Sequence, residues 1–419
     1  MADRPKGSAE GENRPALSLH VPEPKFRPGD TVDFSHIDVP EAGSMARPDE
    51  ACDPAEMRDL AYGLVRVLGD DDKAHGPWDP KLDADTLRAM LGHMAMTRAF
   101  DERMFRGQRQ GKTSFYMKCT GEEATSVSAS MALAGDDMVF PSYRQQGILI
   151  QRGYPLIEMI NQIYSNKGDK LKGRQLPIMY SSREHSFFTI SGNLATQTPQ
   201  AVGWAMASAY KNDSKIAAAW VGEGTTAEGD FHHALTFAAV YQAPVVLNVT
   251  NNQYAISSFS GIAGGEQSTF AARALGYGLP GIRVDGNDFL AVYAVTQWAA
   301  DRARNNFGPT LLELYTYRAA AHSTSDDPSG YRPKDEFTVW PLGDPIDRLK
   351  KHLIKLGEWD EQRHASLQDE LEAEIKRDLK EAASHGTLGV RPCSPSTMFD
   401  DVFKELPPHL RRQRQEAGL

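Results

Sequence analysis

The sequence predicts an α/β protein with three layers, in which a mainly parallel β-sheet lies between helices and carries an N-terminal arm and a helical C-terminal tail. Residues 215–249 read as strand, helix and strand, and further apolar strands alternate with helical patterns up to residue 317. The length of 419 residues and the 40% hydrophobic content suit one large α/β domain with an appendage.

The central strand–helix–strand unit should deliver polar groups to one edge of the sheet. Its first strand, 215–221, ends in the turn Gly222-Glu223-Gly224, and its second strand, 245–249, ends in Asn251-Asn252. A helix is predicted between them, over 228–242. Because parallel strands deliver their carboxyl ends to the same edge, where such sheets bind ligands, Glu223 and the Asn pair should lie side by side.

The glycine spacing of residues 222–227 also fits the fingerprint of dinucleotide-binding proteins. That fingerprint needs an acidic residue about 20 positions later, and no Asp or Glu occurs between Asp230 and Glu266. A carboxylate at Glu223 would also repel a bare pyrophosphate. Mg²⁺ removes this conflict because it binds carboxylate and phosphate oxygens together. The spacing therefore predicts a metal-held diphosphate, although an Asn pair is also a common turn signal.

The composition argues against some classes of function. With 46 basic and 56 acidic residues, the formal net charge of −10 disfavours a general nucleic-acid surface. No apolar run approaches the roughly 18 residues of a membrane span, and the N-terminus lacks the apolar segment of a signal peptide. Three widely separated cysteines favour a reducing compartment over a disulfide or zinc framework. We expect a cytoplasmic protein without membrane or nucleic-acid partners.

Three regions are predicted. Residues 1–80 form an extended N-terminal arm with a short helix at 56–68, residues 81–340 form the α/β domain, and residues 341–419 form a helical C-terminal region. The arm holds ten of the 25 prolines, and a segment of that composition either stays disordered or lies on a partner. The charged C-terminal helices present solvated faces by default, and docking to a partner subunit is the functional alternative.

Several elements of the α/β domain carry candidate functional residues. A long amphipathic helix over 83–110 is followed by a short strand at 114–117, where Phe115 or Tyr116 either walls a substrate pocket or belongs to the core. Arg144 comes where a strand enters a helix, which suits phosphate binding as well as a surface charge. The small polar turn 189–197 suits close approach to a ligand. His322 lies in a polar loop after the strand 310–317, as a catalytic or a surface histidine.

The Gly222-Glu223-Gly224 and Asn251-Asn252 motif resembles the thiamine diphosphate motif of the 2-oxo acid dehydrogenase and transketolase superfamily. Further segments resemble the alpha subunit of the two-chain, branched-chain 2-oxo acid (2-oxoisovalerate) dehydrogenases in its bacterial form. These are Gly121-Glu122-Glu123-Ala124, Tyr143-Arg144-Gln145-Gln146 and residues 171–177, 189–197 and 322–331. The resemblance runs from about residue 24 to the C-terminus.

This resemblance implies a thiamine diphosphate-binding fold and a 3-methyl-2-oxobutanoate dehydrogenase (EC 1.2.4.4) activity. The expected reaction is oxidative decarboxylation of branched 2-oxo acids with acyl transfer to the lipoyl group of a dihydrolipoyl transacylase core. The glutamate that activates the cofactor lies on a beta subunit in this family, which implies an α₂β₂ heterotetramer and an inactive isolated chain. Asp326-Asp327 and residues 173–175 favour branched-chain substrates. The alternatives are a pyruvate or acetoin dehydrogenase alpha subunit and a non-catalytic scaffold.

The resemblance also assigns site residues. It implies cofactor contacts from Tyr143, Arg144, Gly192, Leu194, Gly222, Glu223, Gly224, Thr225, Asn252 and His322. His322 is the expected catalytic hydrogen-bond donor, trading protons near neutral pH. The expected Mg²⁺ ligands are Glu223, Asn252 and the Tyr254 carbonyl, and Ser191, Asn193, Thr196 and Gln197 would surround a K⁺ ion. Thr250 stands where animal relatives have an arginine that contacts diphosphate, so Arg144 and His322 should carry more of that charge. Ser323 aligns with the serine that animal regulators phosphorylate.

Overall fold

A five-stranded parallel sheet forms the centre of the protein. The computed structural model describes residues 18–391 and 393–419, so the first 17 residues of the predicted arm lie outside it. The strand order is β1-β2-β3-β7-β6. The strands are β1 Met138–Phe140, β2 Ala217–Gly222, β3 Val245–Asn251, β6 Gly281–Asp285 and β7 Thr310–Tyr315, and β4 Tyr254–Ala255 and β5 Ser258–Phe259 form a separate hairpin.

Helices cover both faces of this sheet. They are α1 Arg58–Tyr62, α2 Ala84–Arg109, α3 Glu123–Ala132, α4 Gln146–Gln151, α5 Leu156–Tyr164, α6 Gln197–Tyr210, α7 Gly229–Tyr241, α8 Phe289–Arg304, α9 Pro345–Lys355, α10 Glu361–Ser384 and α11 Pro408–Glu416. In β2, Ala218 and Trp220 pack with α2, α3 and α8, whereas Ala217, Ala219 and Val221 pack with α6 and α7. This alternation follows from the two-residue period of a strand. The predicted three-layer α/β fold is confirmed.

The predicted βαβ unit forms with bounds close to those expected. β2 and β3 pair in parallel so that Gly222 lies opposite Thr250, and every residue of β3 is buried. α7 ends at Tyr241, and the left-handed backbone of the next residue, Gln242 (φ 48°), turns the chain back into β3. Glu223 and Asn252 therefore leave the same edge of the sheet from neighbouring strands.

The helix predicted over 56–68 is shorter in the structure, because α1 ends at Tyr62. Beyond it the chain is extended, and Val65 pairs with Val284, the Val65 amide donating to the Arg283 carbonyl over 2.9 Å. The amides of Val67 and Leu68 donate to the buried Asp288 carboxylate over 2.7 and 2.5 Å. These long-range bonds satisfy the backbone without a helix. The division of the chain at residue 80 stays a prediction, although this segment packs into the main core.

The short strand predicted at 114–117 does not form. Tyr116 is fully buried, and its backbone amide donates to the Thr324 hydroxyl over 3.1 Å. This bond takes the place of one to a neighbouring strand. The Tyr116 hydroxyl donates to Asp101 over 2.7 Å. The segment is thus held by side chains from distant parts of the chain, which a local pattern does not reveal.

Each edge of the sheet is covered by an extended segment that adds one bridging residue. Val65 covers the β6 edge, and Phe187 pairs with Val139 on the β1 edge. There the Val139 amide donates to the Ser186 carbonyl, and the Phe188 amide donates to the Val139 carbonyl, both over 2.9 Å. Among the described helices, none is long and apolar enough to cross a membrane.

Candidate functional site

A cavity of about 400 Å³ opens at the carboxyl ends of β1, β2 and β3. It is lined by all ten of the cofactor-binding residues predicted from the sequence: Tyr143, Arg144, Gly192, Leu194, Gly222, Glu223, Gly224, Thr225, Asn252 and His322. Tyr254 also lines it, whereas Phe115 and Tyr116 do not, so the structure gives no support to a pocket wall formed by these two aromatic residues. A larger cleft of about 820 Å³ between α2, α9 and α10 contains none of the predicted site residues.

Glu223 is the buried carboxylate at the bottom of this cavity. It directly follows β2, its amide donates to the Thr250 carbonyl over 3.2 Å, and its side chain is only 2% exposed. Burial raises the pKa of the Glu223 carboxyl to about 7, with the nearby Glu122 carboxylate adding to the rise. Its Oε1 atom is buried and has no hydrogen-bond partner among the described residues. A cation would satisfy both the charge and the unpartnered oxygen.

The two asparagines after β3 face different environments. Asn251 donates from Nδ2 to the buried Glu313 carboxylate over 2.8 Å, on the side away from the cavity. Asn252 lines the cavity; its Nδ2 donates to Glu122 Oε1 over 2.8 Å, and its Oδ1 accepts from the Tyr254 amide over 3.3 Å. Asn252 alone therefore offers an amide oxygen to a ligand in the cavity.

The Tyr254 carbonyl, the third predicted metal ligand, already has one partner. The guanidinium of Arg318, which is fully buried, donates from Nη1 to this carbonyl and from Nη2 to the Ile256 carbonyl, both over 2.8 Å. A carbonyl oxygen has two lone pairs, so one remains for a cation. The nearby guanidinium charge opposes a metal ion there and favours an anion in the same cavity.

Arg144 is held rigidly at the cavity wall. Its side chain is 4% exposed, its Nη1 donates to the Lys118 carbonyl over 2.7 Å, and its Nη2 donates to the His322 carbonyl over 2.9 Å. The helix that follows, α4, has only six residues and begins at Gln146, so the predicted help from a helix N-terminus is small. A fixed, buried guanidinium remains the main source of positive charge on this wall.

His322 is a neutral imidazole in the structure. An arginine nitrogen only donates, so the 2.9 Å contact between Arg144 Nη2 and His322 Nδ1 makes Nδ1 the acceptor and leaves the proton on Nε2. Burial, with the charges of Arg144 and Arg318, lowers the pKa of His322 to about 3. This low pKa disfavours proton exchange by the imidazole near neutral pH, and the catalytic role of His322 stays a prediction. Its role as a hydrogen-bond donor agrees with the geometry.

The loop that carries His322 is closed by hydrogen bonds. The Asp326 carboxylate accepts from the His322 amide and from the Tyr331 hydroxyl, both over 2.7 Å, and Arg318 donates to the Tyr331 hydroxyl over 2.9 Å. Ser323, directly after His322, is 6% exposed. The polar loop that follows β7 is thus anchored at several points.

The turn that precedes α6 and the first residue of α6 contain the four residues predicted to surround K⁺. The Ser191 hydroxyl accepts from the Asn193 amide over 3.0 Å, and the Thr196 hydroxyl donates to the Asn193 carbonyl over 3.1 Å. Gln197 Nε2 donates to the Trp220 carbonyl, while its Oε1 is buried and has no partner among the described residues. None of the four lines the cavity. A K⁺ site at these oxygens stays a prediction.

Glu122 is a cavity residue that the sequence reasoning did not assign. It is 1% exposed and contacts Asn252 through Oε1, while Oε2 is buried and has no partner in the described structure. Burial is the main cause that raises the pKa of its carboxyl. Its neighbour Glu123 points elsewhere and binds Arg98 through two bonds of 2.7 and 2.9 Å. The adjacent pair Glu122-Glu123 is visible in the sequence. It does not by itself indicate a site, because acidic residues are common at the start of a helix.

The site as a whole suits a diphosphate held through a divalent cation. The buried oxygens Glu223 Oε1 and Thr250 Oγ1 lack partners in the part of the chain described. A Cβ added at Gly192 would meet nothing within 4 Å, so ligand can approach the backbone there. No group of three or more His, Cys, Asp or Glu side chains among the described residues is placed to hold a metal. A cation here would combine the Glu223 carboxylate with amide, carbonyl and phosphate oxygens, a ligand set that Mg²⁺ accepts.

Comparison with known proteins identifies the family of the chain. The model of the family "Dehydrogenase E1 component" matches residues 91–391, and that of "2-oxoisovalerate dehydrogenase E1 alpha subunit N terminal" matches residues 15–55.

Three similar relatives carry the name 2-oxoisovalerate dehydrogenase subunit alpha. That of Pseudomonas aeruginosa is 60% identical over 404 residues, covering 96% of this chain and 98% of the relative. The mitochondrial protein of Mus musculus is 41% identical over 81% of this chain and 76% of its own length. The mitochondrial subunit alpha 1 of Arabidopsis thaliana is 36% identical over 93% and 81%. The chain therefore belongs to the dehydrogenase E1 component family, among the 2-oxoisovalerate dehydrogenase alpha subunits.

Proposed function

We propose that this chain is the alpha subunit of a component that oxidatively decarboxylates 3-methyl-2-oxobutanoate and related branched 2-oxo acids. The acyl group passes to the lipoyl group of a dihydrolipoyl transacylase. The observation that carries this proposal is the single cavity that gathers Glu223, Asn252, Arg144 and His322 at one edge of the sheet. Identity of 60% over nearly the whole chain to a 2-oxoisovalerate dehydrogenase subunit alpha supports the substrate class.

Membership of the dehydrogenase E1 family implies dependence on thiamine diphosphate. Glu223, the Asn252 amide oxygen and the Tyr254 carbonyl would hold Mg²⁺ on the diphosphate, for which the unpartnered Glu223 Oε1 is available. When bound, the thiazolium ring supplies the electron sink that a 2-oxo acid lacks when it loses CO₂. The residues of this chain supply placement and charge.

Arg144 and His322 have different roles on the diphosphate side of the cavity. The buried Arg144 guanidinium offsets anionic charge, and its bond to Nδ1 keeps the proton of His322 on Nε2. His322 then donates a hydrogen bond without first becoming charged, since its pKa lies far below neutral. Leu194 and Gly192 line the same cavity, and a Cβ at Gly192 would meet nothing within 4 Å, which leaves space for a ligand there.

The partners follow from the alpha-subunit family. A beta subunit should complete the site with the glutamate that activates the cofactor, in an α₂β₂ heterotetramer that docks on the lipoyl-bearing transacylase core. K⁺ at Ser191, Asn193, Thr196 and Gln197 would stiffen the turn before α6, and the buried, unpartnered Gln197 Oε1 supports this site.

The three cysteines are free, which agrees with the reducing conditions of the cytoplasm.

Calorimetric titration of thiamine diphosphate into the alpha–beta complex tests the proposal. We expect binding with Mg²⁺, and loss of binding in EDTA or after Glu223→Ala. Glu228→Ala is the matched control, because Glu228 is an exposed carboxylate five positions away that makes no side-chain bond at the start of α7. Binding that needs neither Mg²⁺ nor Glu223 would contradict the proposed site, and the absence of any binding would favour a scaffold.

The substrate class needs a separate measurement. Values of kcat/KM for 3-methyl-2-oxobutanoate, pyruvate and the acetoin-cleavage reaction, each with an artificial electron acceptor, distinguish the family's members. A preference for the branched acid is expected. A preference for pyruvate or acetoin would assign the chain to those enzymes, since the cofactor site is shared.

A further inference from the structure

We propose that Glu122 is a positioning residue that orients the Asn252 amide and the Arg144 guanidinium toward the metal-bound diphosphate. The inference rests on the proposed thiamine diphosphate site and adds a residue to it. Glu122 does not ligate the cation in this assignment. It acts through the two side chains that it contacts.

The contacts of Glu122 connect two walls of the cavity. Its Oε1 accepts from Asn252 Nδ2 over 2.8 Å and lies 3.8 Å from Arg144 Nε. Asn252 follows β3, and Arg144 follows β1, so this carboxylate couples groups from strands that are not neighbours in the sheet. With both partners buried, at 7% and 4% exposure, water does not replace the contact.

The bond to Asn252 decides which atom of the amide faces a cation. An asparagine side chain can rotate by half a turn and exchange its oxygen with its NH₂ group, and only the oxygen can bind a metal ion. Glu122 accepts from Nδ2 and so fixes Oδ1 on the other side. The Tyr254 amide, 3.3 Å from Oδ1, is the only other bond that holds this orientation among the described residues, and it is the longer of the two.

The electrostatics of Glu122 also require a reason. A second buried carboxylate beside Glu223 disfavours an anion in the cavity, and burial raises the pKa of both carboxyls. Core packing alone would be served better by an apolar side chain. An acceptor oxygen at this position is needed if its task is to accept from the Asn252 amide and to orient the Arg144 guanidinium.

The backbone at Glu122 is itself fixed. Gly121 has φ +92°, and its amide donates to Glu123 Oε2 over 2.9 Å. Arg98 then holds the Glu123 carboxylate through two bonds. Glu122 therefore projects from a backbone segment that is locked on both sides, which is what a positioning residue requires.

Titration of Mg²⁺ into the alpha–beta complex at a fixed thiamine diphosphate concentration tests this inference by calorimetry. We expect Glu122→Ala to weaken apparent Mg²⁺ affinity by about 10- to 100-fold, as for other residues that orient metal ligands. Glu122→Gln keeps an acceptor oxygen and should stay within about threefold of the unchanged protein, less than 1 kcal/mol. Thermal unfolding without ligand is measured for each variant.

Asp101→Asn is the matched control, because Asp101 is a fully buried carboxylate that binds Tyr116 and Gln146 outside the cavity. It should lower stability and leave Mg²⁺ affinity unchanged. Unchanged affinity in Glu122→Ala, equal loss in Glu122→Gln, or equal loss in Asp101→Asn overturns the inference. If the alpha–beta complex without any substitution binds no thiamine diphosphate, the result contradicts the proposed function and not the role of Glu122.

Discussion

Arg144 donates from Nη2 to Nδ1 of His322 over 2.9 Å, across 178 positions of sequence. The contact fixes the tautomer of the imidazole and places a permanent positive charge beside it. Burial lowers the pKa of His322 to about 3, and the positive charges of Arg144 and Arg318 add to this shift. The site thus contains a histidine whose Nε2 proton can be donated to a ligand and whose ring carries no charge at neutral pH.

His322 should therefore not titrate between pH 8 and about 5, whereas an ordinary imidazole titrates near pH 6.5. In the unfolded chain His322 regains that ordinary value, so its contribution to stability is complete above about pH 6.5 and declines as the pH falls toward 3. Carbon-detected NMR of Cε1-labelled histidine in the alpha–beta complex measures the folded value.

Arg144→Met should raise the pKa of His322 toward its ordinary value, because it removes the neighbouring charge and the donor to Nδ1. Arg174→Met is a suitable control, since Arg174 binds Asp401 on the surface and does not line the cavity. A His322 that titrates near pH 6.5 in the unchanged protein would contradict the neutral-imidazole assignment.

Gly121→Ala should destabilise the protein by more than the strain of a left-handed alanine backbone alone. A Cβ at Gly121 would lie 2.6 Å from the Tyr317 carbonyl oxygen, whereas a Cβ at Gly111, also at positive φ, meets nothing within 4 Å. We expect a loss of about 1 kcal/mol for Gly111→Ala from backbone strain, and about 2 kcal/mol more for Gly121→Ala from the clash. Urea unfolding measures both, and equal losses would exclude the steric account.

Asp288→Ala should be among the more destabilising single changes. One carboxylate oxygen of Asp288 accepts from the amides of Val67 and Leu68, and the other caps α8 through the Ala291 amide at 3.1 Å. Removing it leaves buried amides without acceptors, at an expected cost of about 3 kcal/mol or more in the free energy of unfolding.

Asp360→Ala is the control for this change, because the exposed Asp360 carboxylate caps the start of α10 by accepting from the Arg363 amide, with the Arg363 guanidinium 3.6 Å away. Loss of such a cap costs about 1 kcal/mol. Similar losses in the two variants, measured by urea unfolding, would mean that the long-range bonds of Asp288 add nothing.

Thr250→Val should stabilise the ligand-free chain. The Thr250 hydroxyl is buried in the cavity wall without a partner among the described residues, and valine has nearly the same shape. We expect the free energy of unfolding to rise by about 1 kcal/mol. Thr316→Val, which removes a buried hydroxyl that donates to the Gly121 carbonyl over 3.0 Å, should lower it by a similar amount. A loss in both variants would show that Thr250 has a partner in solution.

The sheet and the core of the site could be predicted because local sequence determines them. The strands, the helix and the turns of residues 217–252 follow from apolar runs and from the glycine and proline residues between them. The parallel pairing of the strands then brings Glu223 beside Asn252. The partners of backbone groups in irregular segments could not be predicted. Tyr116 depends on Thr324, and Val67 depends on Asp288, across more than 200 positions.

The charge state of the site likewise could not be predicted from the sequence. A histidine in a polar loop has an ordinary pKa unless burial and nearby charges change it, and both arise from the folding of Arg144 and Arg318 around His322. The role of Glu122 was hidden for a similar reason. Two adjacent glutamates look equivalent in sequence, whereas the fold directs Glu122 into the cavity and Glu123 to Arg98.

The residues Val65 and Phe187, which border the sheet on its two sides, limit how the molecule can associate. Each occupies backbone groups that an outer strand would otherwise leave open, and such open groups are what invite a strand from another molecule. Strand addition by another molecule is therefore blocked at these two positions, which leaves side chains and helix surfaces for contact with a companion chain. We expect damage to either border to expose these backbone groups to unselective strand pairing.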